Sequence, residues 1–483
     1  MRKAGEISAL KKSYLDKKKQ QSSGKTVPNS SYYRLYERTT TKPKELSKIT
    51  RNKVNNGLND LPNELLFKVF KYLDVKSLLS CASVCKRWQE IADDDSFWKV
   101  FYTKYVFMNA KKFAENVVKE PASPLEAEKK YWKKRFFTKS KQMRDKSFLG
   151  LSKINPYTGV TDKIQKHFEK LGAKFQLCFS TKGGQTFNFI EKKRQIYLTS
   201  TMLQWHSLKT WPDLKKIIKV QIFSLTPFVH GEGKNLIKNG PRQKSLVFEE
   251  KLDDKLFDAK NKFVANDQID VYTTNSGILI SVWKDTLDVA FICASLHHDL
   301  LLKKCLMSTS DTIYLERHTV KPGVLDKSYG LHGYWFHLQL TLGEKDYWDL
   351  RIHSDECDNN TDSSMISFTK TNNVSSAFDA TGLSWKTDLF HGNLKNVSFL
   401  TITAVDINSD VMWSSASPVK HEFSSNAVVN FDQDSDKGLR MVYNDNIGHI
   451  ELFFIDSGRG YSLERLTVAL NLKIVNSWFG MRH

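Results

Sequence analysis

Near residue 147 the spacing of apolar side chains changes period, and that change restricts the fold more than any other feature of the chain. Before it, apolar residues recur three and four apart, as on one face of a helix. After it they come in short runs, several alternating apolar with polar, as on a strand. The runs are FQLCFS (175–180), QTFNFIE (185–191), QIYLTS (195–200), IIKVQIFSL (217–225), KSLVFEE (244–250), GILISVW (277–283) and DVAFICASL (288–296). They continue with YWFHLQLTL (334–342), KNVSFLTITAVDI (395–407), VMWSSASPV (411–419), LRMVYN (439–444), HIELFFI (449–455) and LTVALNLKIV (466–475). These runs are rich in β-branched and aromatic residues and are separated by Gly, Asn and Asp. The pattern predicts antiparallel, sandwich-like sheets, not repeated βαβ units. The polar stretch Ser354 to Ser364 reads as a long exposed loop. No fixed-period repeat signals a propeller or solenoid. The expected fold class is α+β: a small helical bundle at 57–106, a basic helical linker at 107–146, and a large, mostly antiparallel β region at 147–483 made of one or two subdomains.

The bundle is read from residues 58–105. Pro62 fits a first helical turn, where its missing N–H is not needed, and Glu64 favours the positive end of the helix dipole, so a helix is expected from about Leu61. Leu65, Leu66, Val69, Phe70 and Leu73 follow in one stripe. Asp74 reads as an N-cap for a second helix carrying Val75, Leu78, Leu79, Ala82 and Cys85. Trp88 and Ile91 continue the apolar face. The run Asp93, Asp94, Asp95 can cap a last helix striped by Phe97, Trp98, Phe101, Tyr102 and Tyr105. A unit this small is hard to stabilise alone, since below roughly 70–80 residues a single core seldom supplies more than about 3–5 kcal/mol. A partner covering part of the stripe would add the missing buried area.

The ordered set Leu61-Pro62-x-Glu64-Leu65, Val69, Leu73, Leu78 and Val84-Cys85-Lys86-x-Trp88 resembles an F-box, the helical module that docks onto the Skp-type adaptor of cullin-RING ubiquitin ligases. The resemblance implies an adaptor-binding set of Leu61, Pro62, Glu64, Leu65, Val69, Leu73, Leu78, Val84, Cys85 and Trp88. It also implies the partners: the adaptor, S-phase kinase-associated protein 1; a cullin scaffold and RING subunit reached through it; and a protein substrate held by the β region. Four further strings, Asn155-Pro156-Tyr157-Thr158-Gly159, Gly330-Leu331-His332-Gly333-Tyr334, Gly382-Leu383-Ser384-Trp385-Lys386-Thr387-Asp388 and Trp478-Phe479-Gly480, resemble those of one particular F-box protein, over a span from about 58 to 480. Each string also reads as a structural corner, with glycines for positive φ and aromatics for the core.

Charge is placed unevenly along the 483 residues, whose formal net charge is +20. Residues 1–57 hold fifteen Lys or Arg against four Asp or Glu, and residues 99–146 hold fourteen against five, whereas 147–483 hold thirty-nine against thirty-seven. Residues 1–56 are polar, Lys-rich and Ser-rich, too poor in apolar residues to offset the entropy of ordering, and are expected to be a disordered basic tail. In 107–146, basic residues alternate with Tyr131, Trp132, Phe136 and Phe137 around a break at Pro121 and Pro124. That pattern fits nucleic acid by charge and stacking, but it fits better a linker helix whose aromatic side packs on a neighbour while its lysines stay wet. A basic nucleic-acid-binding or scaffold protein without a ligase role is therefore the alternative reading; nucleic acid is not the expected partner. Val289 to Leu296, among the longest apolar runs, falls far short of a bilayer span, so no membrane partner is expected. The amino terminus has no apolar h-region, and the six cysteines are scattered without CxxC spacing, which suits reduced thiols in the cytoplasm or nucleus.

Catalytic signals are weak. Gly382-Leu383-Ser384-Trp385-Lys386 has Lys where a nucleophile elbow needs its second Gly, and Gly231-Glu232-Gly233 lacks a third glycine and a βα context. Cys293, His297, His298 and Cys305 have zinc-ligand chemistry, but Cys293 lies in an apolar run, where a free thiol behaves as a small hydrophobe. His332 and His337, five apart on an expected strand, face opposite sides. No catalytic residue, metal or cofactor is assigned.

Overall fold

A computed structural model describes residues 61–110, 130–150, 152–206, 211–230, 235–253, 255–286, 288–316, 333–341, 347–353, 358–360, 363–369, 383–386, 391–424, 438–456, 458 and 460–480. The expected basic tail, the break at Pro121 and Pro124, and His332 lie outside them. The described residues divide into two compact units. Residues up to Phe148 join Pro227–Gln243 in one, and Leu149–Thr226 with Lys244 onward form the other.

The first unit is helical: α1 (Asn63–Phe70), α2 (Val75–Ala82), α3 (Lys86–Ala92), α4 (Asp95–Ala110) and α5 (Tyr131–Leu149). Helix α1 starts at Asn63 and not at Leu61, because Pro62 is extended, with φ −54° and ψ 152°, and contributes only its carbonyl, which accepts from Leu65 N at 3.1 Å. Asp74 caps α2 as its sequence position suggests, its carboxylate accepting from Ser77 N at 2.8 Å. The three consecutive aspartates divide the work of the next junction. Asp94 caps α4 by accepting from Ser96 N at 2.9 Å, Asp95 accepts from Lys133 N at 3.2 Å, and Asp93 takes the ammonium groups of Lys130 and Lys133.

The core of this unit gathers Leu66, Phe70, Leu78, Ala92, Phe97 and Trp98 with Phe136 of α5 and with Val229 and Ile237 of the returning segment. The Trp98 indole donates to Ala92 O at 2.8 Å while its ring meets Phe136 and Phe137 at 5.4 and 5.2 Å. Phe136 of α5 is thus buried inside the unit, and Phe137 and Trp132 are half-buried against its core. Arg144, also on α5, is fully buried. It pairs with Asp145 and donates to Pro227 O at 3.2 Å and to Gln243 Oε1 at 2.8 Å, which fastens the returning segment to the helix.

The second unit is built on antiparallel sheets. One has the order β2 (Thr186–Ile190), β1 (Lys174–Thr181), β5 (Ile217–Pro227), β6 (Arg242–Lys251). A second runs β3 (Lys193–Ile196), β4 (Ser200–His206), β10 (Val289–His297), β9 (Leu279–Trp283), β8 (Ile269–Thr273), β7 (Val264–Ala265). The largest runs β12 (Tyr347–His353), β11 (Trp335–Thr341), β17 (Val397–Val405), β18 (Val411–Ser424), β19 (Gly438–Asn444), β20 (Gly448–Asp456), β21 (Tyr461–Asn471), β14 (Ser363–Thr369), β13 (Asp358–Asn360). Strands β15 (Leu383–Lys386) and β16 (His391–Leu394) pair with each other. Three helices complete the unit: α6 (Ile164–Leu171), α7 (Leu301–Met307) and α8 (Leu472–Phe479).

Phe336, Leu338 and Leu340 of β11 and Trp348, Leu350 and Ile352 of β12 share one core with Ile450, Leu452 and Phe454 of β20 and Leu466, Val468 and Leu470 of β21. The large sheet therefore folds over on itself, which is the sandwich the alternating runs imply. Strand β17 is buried throughout. Its Leu400, Ile402 and Ala404 enter that core, while Thr401 and Thr403 hydrogen bond to Ser200 Oγ at 3.2 Å and His297 Nε2 at 2.8 Å on the six-stranded sheet. Polar rungs, joined by Thr199 to Gln339 at 2.7 Å, thus tie the two sheets together.

Three local expectations are corrected. QIYLTS is not one strand, because Tyr197 N closes a turn onto Ser200 O at 2.9 Å and a new strand starts at Ser200. LTVALNLKIV changes from strand to helix at Leu472, where the Asn471 carboxamide caps α8 by accepting from Lys473 N at 3.0 Å. The polar stretch from Ser354 is not loop throughout. Asp358–Asn360 pairs with the start of β14, and β14 pairs in turn with β21, so backbone hydrogen bonding overrides the polar composition. Among the described residues no helix is long and apolar enough to cross a membrane.

Candidate docking face

Helix α1 carries two apolar faces. Leu66 and Phe70, four apart, point into the core. Leu65 and Val69, also four apart, stand 44% and 52% exposed, and Tyr72, seven after Leu65, is 90% exposed. The turn between α2 and α3 adds Val84, 63% exposed, and Cys85, whose extended backbone (φ −155°) starts α3. Pro62 and Glu64 are exposed at the start of α1, and Glu64 is its first-turn acid. Lys68 on the same helix and Lys71 at its C-cap are exposed.

The ten residues of the expected adaptor-binding set are therefore distributed unequally. Pro62, Glu64, Leu65, Val69, Val84 and Cys85 are exposed, and Leu61 is half-buried. Leu73 and Trp88 are half-buried against the core, with the Trp88 ring edge-on to Phe70 at 5.5 Å. Leu78 is completely buried. Two residues that sequence reasoning passed over belong to the same place. Tyr72 continues the Leu65, Val69 spacing by one more turn, a signal present in the sequence. Arg87, the unspecified residue of Lys86-x-Trp88, donates to Asn63 Oδ1 at 2.8 Å and to Leu61 O, tying the entry of α1 to α3. Nothing in the local pattern of α3 announces that contact, since its acceptors lie 24 and 26 residues away.

Charge stiffens the edge of this unit. Burial alone would raise the Asp93 carboxyl, but hydrogen bonds from Lys130 and Lys133 hold it below the usual carboxylate range. Asp74 is likewise held low by its bonds to Ser77. His230, in the returning segment, is pushed down to about 4 by burial and by the nearby Arg144 guanidinium.

The residues weighed as zinc ligands are placed as packing elements. Cys293 is buried in β10 and its thiol is pushed up to about 12 by desolvation. His297 bonds to Thr403, His298 bonds to Thr201 Oγ1 at 2.9 Å, and Cys305 is buried on α7. Among the described residues no group of three or more His, Cys, Asp or Glu is arranged to hold a metal. Trp385 is a core residue stacked on Phe291 at 5.4 Å, and Gly480 ends α8 at φ 67°. Trp385 and Gly480, described residues of those two strings, thus have structural places.

Residues 58–104 match the F-box-like family model. The chain is similar to F-box only protein 15 of Homo sapiens, with 28% identity over 449 residues, covering 88% of this chain and 86% of the relative. The Macaca fascicularis protein of the same name is 27% identical over 445 residues, covering 88% of this chain and 100% of the relative. This is the F-box protein whose strings the sequence resembles. Over 55 residues, 11% of this chain and 8% of the relative, there is 40% identity to the probable E3 ubiquitin ligase complex SCF subunit sconB of Aspergillus terreus.

Proposed function

From an F-box-like domain followed by a large antiparallel β unit, we propose that the chain is the substrate-recognition subunit of a Skp–cullin–F-box ubiquitin ligase, working in the cytoplasm or nucleus. The helical unit docks onto S-phase kinase-associated protein 1, which connects it to the cullin scaffold and RING subunit. The β unit holds a target protein. The chain supplies no reacting group. It holds a target lysine near the charged conjugating enzyme and so raises its effective concentration.

The observation that carries this reading is the exposed apolar line Leu65, Val69, Tyr72 with Val84 on a unit whose core is already filled by Leu66, Phe70 and Leu78. Side chains of this size left in water on one helix face are stabilised by a partner's apolar surface. Leu78 then contributes to docking only through the fold. Leu61 and Pro62 act by setting the entry of α1.

Leu65→Glu combined with Val69→Glu tests the assignment. Both positions are exposed, so the variant is expected to keep its helical content and melting temperature. Its affinity for purified S-phase kinase-associated protein 1, measured by calorimetry, is expected to fall by about 100-fold or more. Wild-type affinity in a folded double variant overturns the docking role.

A further inference from the structure

Two of the strings singled out in the sequence meet at one edge of the nine-stranded sheet, in a place the docking face does not use. The turn Asn155 to Gly159 is closed by Gly159 N donating to Asn155 O at 2.8 Å, and a Cβ at Gly159 would meet Val405 at 2.6 Å, so the turn is pressed against β17. This sets the Tyr157 ring edge-on to His337 of β11 at 5.3 Å, with its hydroxyl 3.4 Å from Asp349 Oδ2 of β12. The second string carries Gly333, at φ +78°, where a Cβ would meet Ile407 at 2.6 Å. Its close approach aims Trp335 outward beside His353, at 4.4 Å.

Between the two rings lies the Arg351 guanidinium, 4.3 Å from the centre of Trp335 and 5.5 Å from that of Tyr157. It donates no hydrogen bond and forms no ion pair with any described residue, and its Nε is buried without an acceptor. Asp349, the nearest acid on the same face of β12, is taken by Tyr157 and by His337 Nε2 at 3.7 Å. Elsewhere in the described chain Arg144, Arg194 and Arg440 each bond to a carboxylate. Beside this oriented cation Trp335 remains 38% and Tyr157 43% exposed; Ile154, just before the Asn155 turn, and Ile407, against Gly333, are exposed as well. Strand β12 is the end strand of its sheet among the described residues.

We propose that the exposed edge formed by β12 and the start of β11, beside Tyr157, binds an extended acidic segment of the protein that the receptor presents; the presentation rests on the function proposed above, whereas the binding chemistry does not. Trp, Tyr and Arg are the side chains that dominate protein interfaces. A planar guanidinium already stacked between rings keeps its fork geometry for a carboxylate at little further cost in conformational freedom. The isoleucines offer apolar contact to a neighbouring side chain of the same segment, and the end strand offers backbone partners to an extended chain.

The test uses the full chain and two fluorescein-labelled dodecapeptide pools. One has Leu or Phe flanked by Asp and Glu, and the other has Lys in place of every acid. By fluorescence anisotropy the acidic pool is expected to bind the wild type and the lysine pool is not. Trp335→Ala, Arg351→Glu and Ile407→Glu are each expected to weaken the acidic pool by about tenfold or more, with Arg351→Lys recovering part of the loss. Ile407 is exposed, so that variant keeps the test valid if a change at Trp335 or Arg351 disturbs folding. Affinity for the adaptor, measured on the same samples, is expected to stay at the wild-type value in all variants. Failure of the acidic pool to bind, equal binding by Arg351→Glu and Ile407→Glu, or displacement by a single-stranded oligonucleotide as effective as unlabelled acidic peptide overturns the proposal. Loss of adaptor binding by the wild type itself would instead strike the receptor reading and leave the acidic-segment site standing.

Discussion

Leu65 and Leu66 are neighbours of the same residue type, yet one faces water and the other the core. Periodicity places both in the apolar stripe of α1, because a stripe wider than about 100° of the helix contains positions either side of the true core direction. Which side is buried depends on where α3, α4 and α5 lie. Residue identity is equally silent about the imidazoles. His298 is pushed down to about 3 and His421 to about 4, in both cases chiefly by burial, and neither neighbour is close in sequence: Thr201 bonds the first and Ser398 the second. His421 binds its proton in the unfolded chain near pH 6.5 but in the folded chain only near pH 4. Its contribution is therefore complete above about pH 6.5 and is lost as pH falls from there toward 4. Asp145, Glu191 and Asp299 are raised by burial and titrate in the opposite sense, so the comparison must be with a variant and not with the wild type at one pH. Between pH 7 and 5, the wild type is expected to lose about 1–2 kcal/mol more than His421→Asn in urea denaturation. Equal losses would show that His421 titrates in the folded protein as it does in water.

Helix α5 shows how an element that reads as a linker becomes part of a core. Its lysine content and mean polarity are those of a solvated helix, and its aromatic residues do pack inward as the alternation suggests. What fixes it to the bundle is the pair of ammonium groups on Asp93, with Lys133 also lying 5.3 Å over the Trp98 ring. Lys130 is half exposed, which screens its share of the interaction. Replacing Asp93 by Ala leaves the better buried Lys133 without its acceptor and is expected to cost about 1–2 kcal/mol, less than breaking a fully buried pair. Faster amide exchange confined to α5 would accompany it; a variant with unchanged urea midpoint and unchanged exchange in α5 would remove the clamp from this account. Because Asp93 is held below the usual range, its contribution is present above about pH 4 and is lost on further acidification. Strand and helix are harder to tell apart at β21 and α8, where LTVALNLKIV is mostly apolar. A short apolar run satisfies both periods, and the cap at Asn471 decides between them.

At the scale of the whole chain, the helical unit is not a continuous stretch. Val229 and Ile237, buried in its core, lie about 80 residues after α5 ends, across strands that belong to the second unit. A fragment of residues 58–148 is accordingly expected to be less stable than the unit in the full chain by about 2 kcal/mol or more, and a synthetic 227–243 peptide is expected to raise its melting temperature. A fragment indifferent to that peptide would make the returning segment a passenger. The sequence by itself determined what depends on local spacing: helices before residue 147 and antiparallel strands after it, the cap at Asp74, the inward aromatics of α5 and the F-box resemblance around Leu61-Pro62. Only the tertiary structure decided that Leu78 is enclosed while Leu65, Val69, Tyr72 and Val84 are displayed, that residues 227–243 return to the bundle, and that Tyr157, Trp335 and Arg351 share one surface. The physical reason is common to all three. Hydrophobic period reports the direction of a side chain relative to its own helix or strand, whereas burial is the removal of that side chain from water by segments tens or hundreds of residues away.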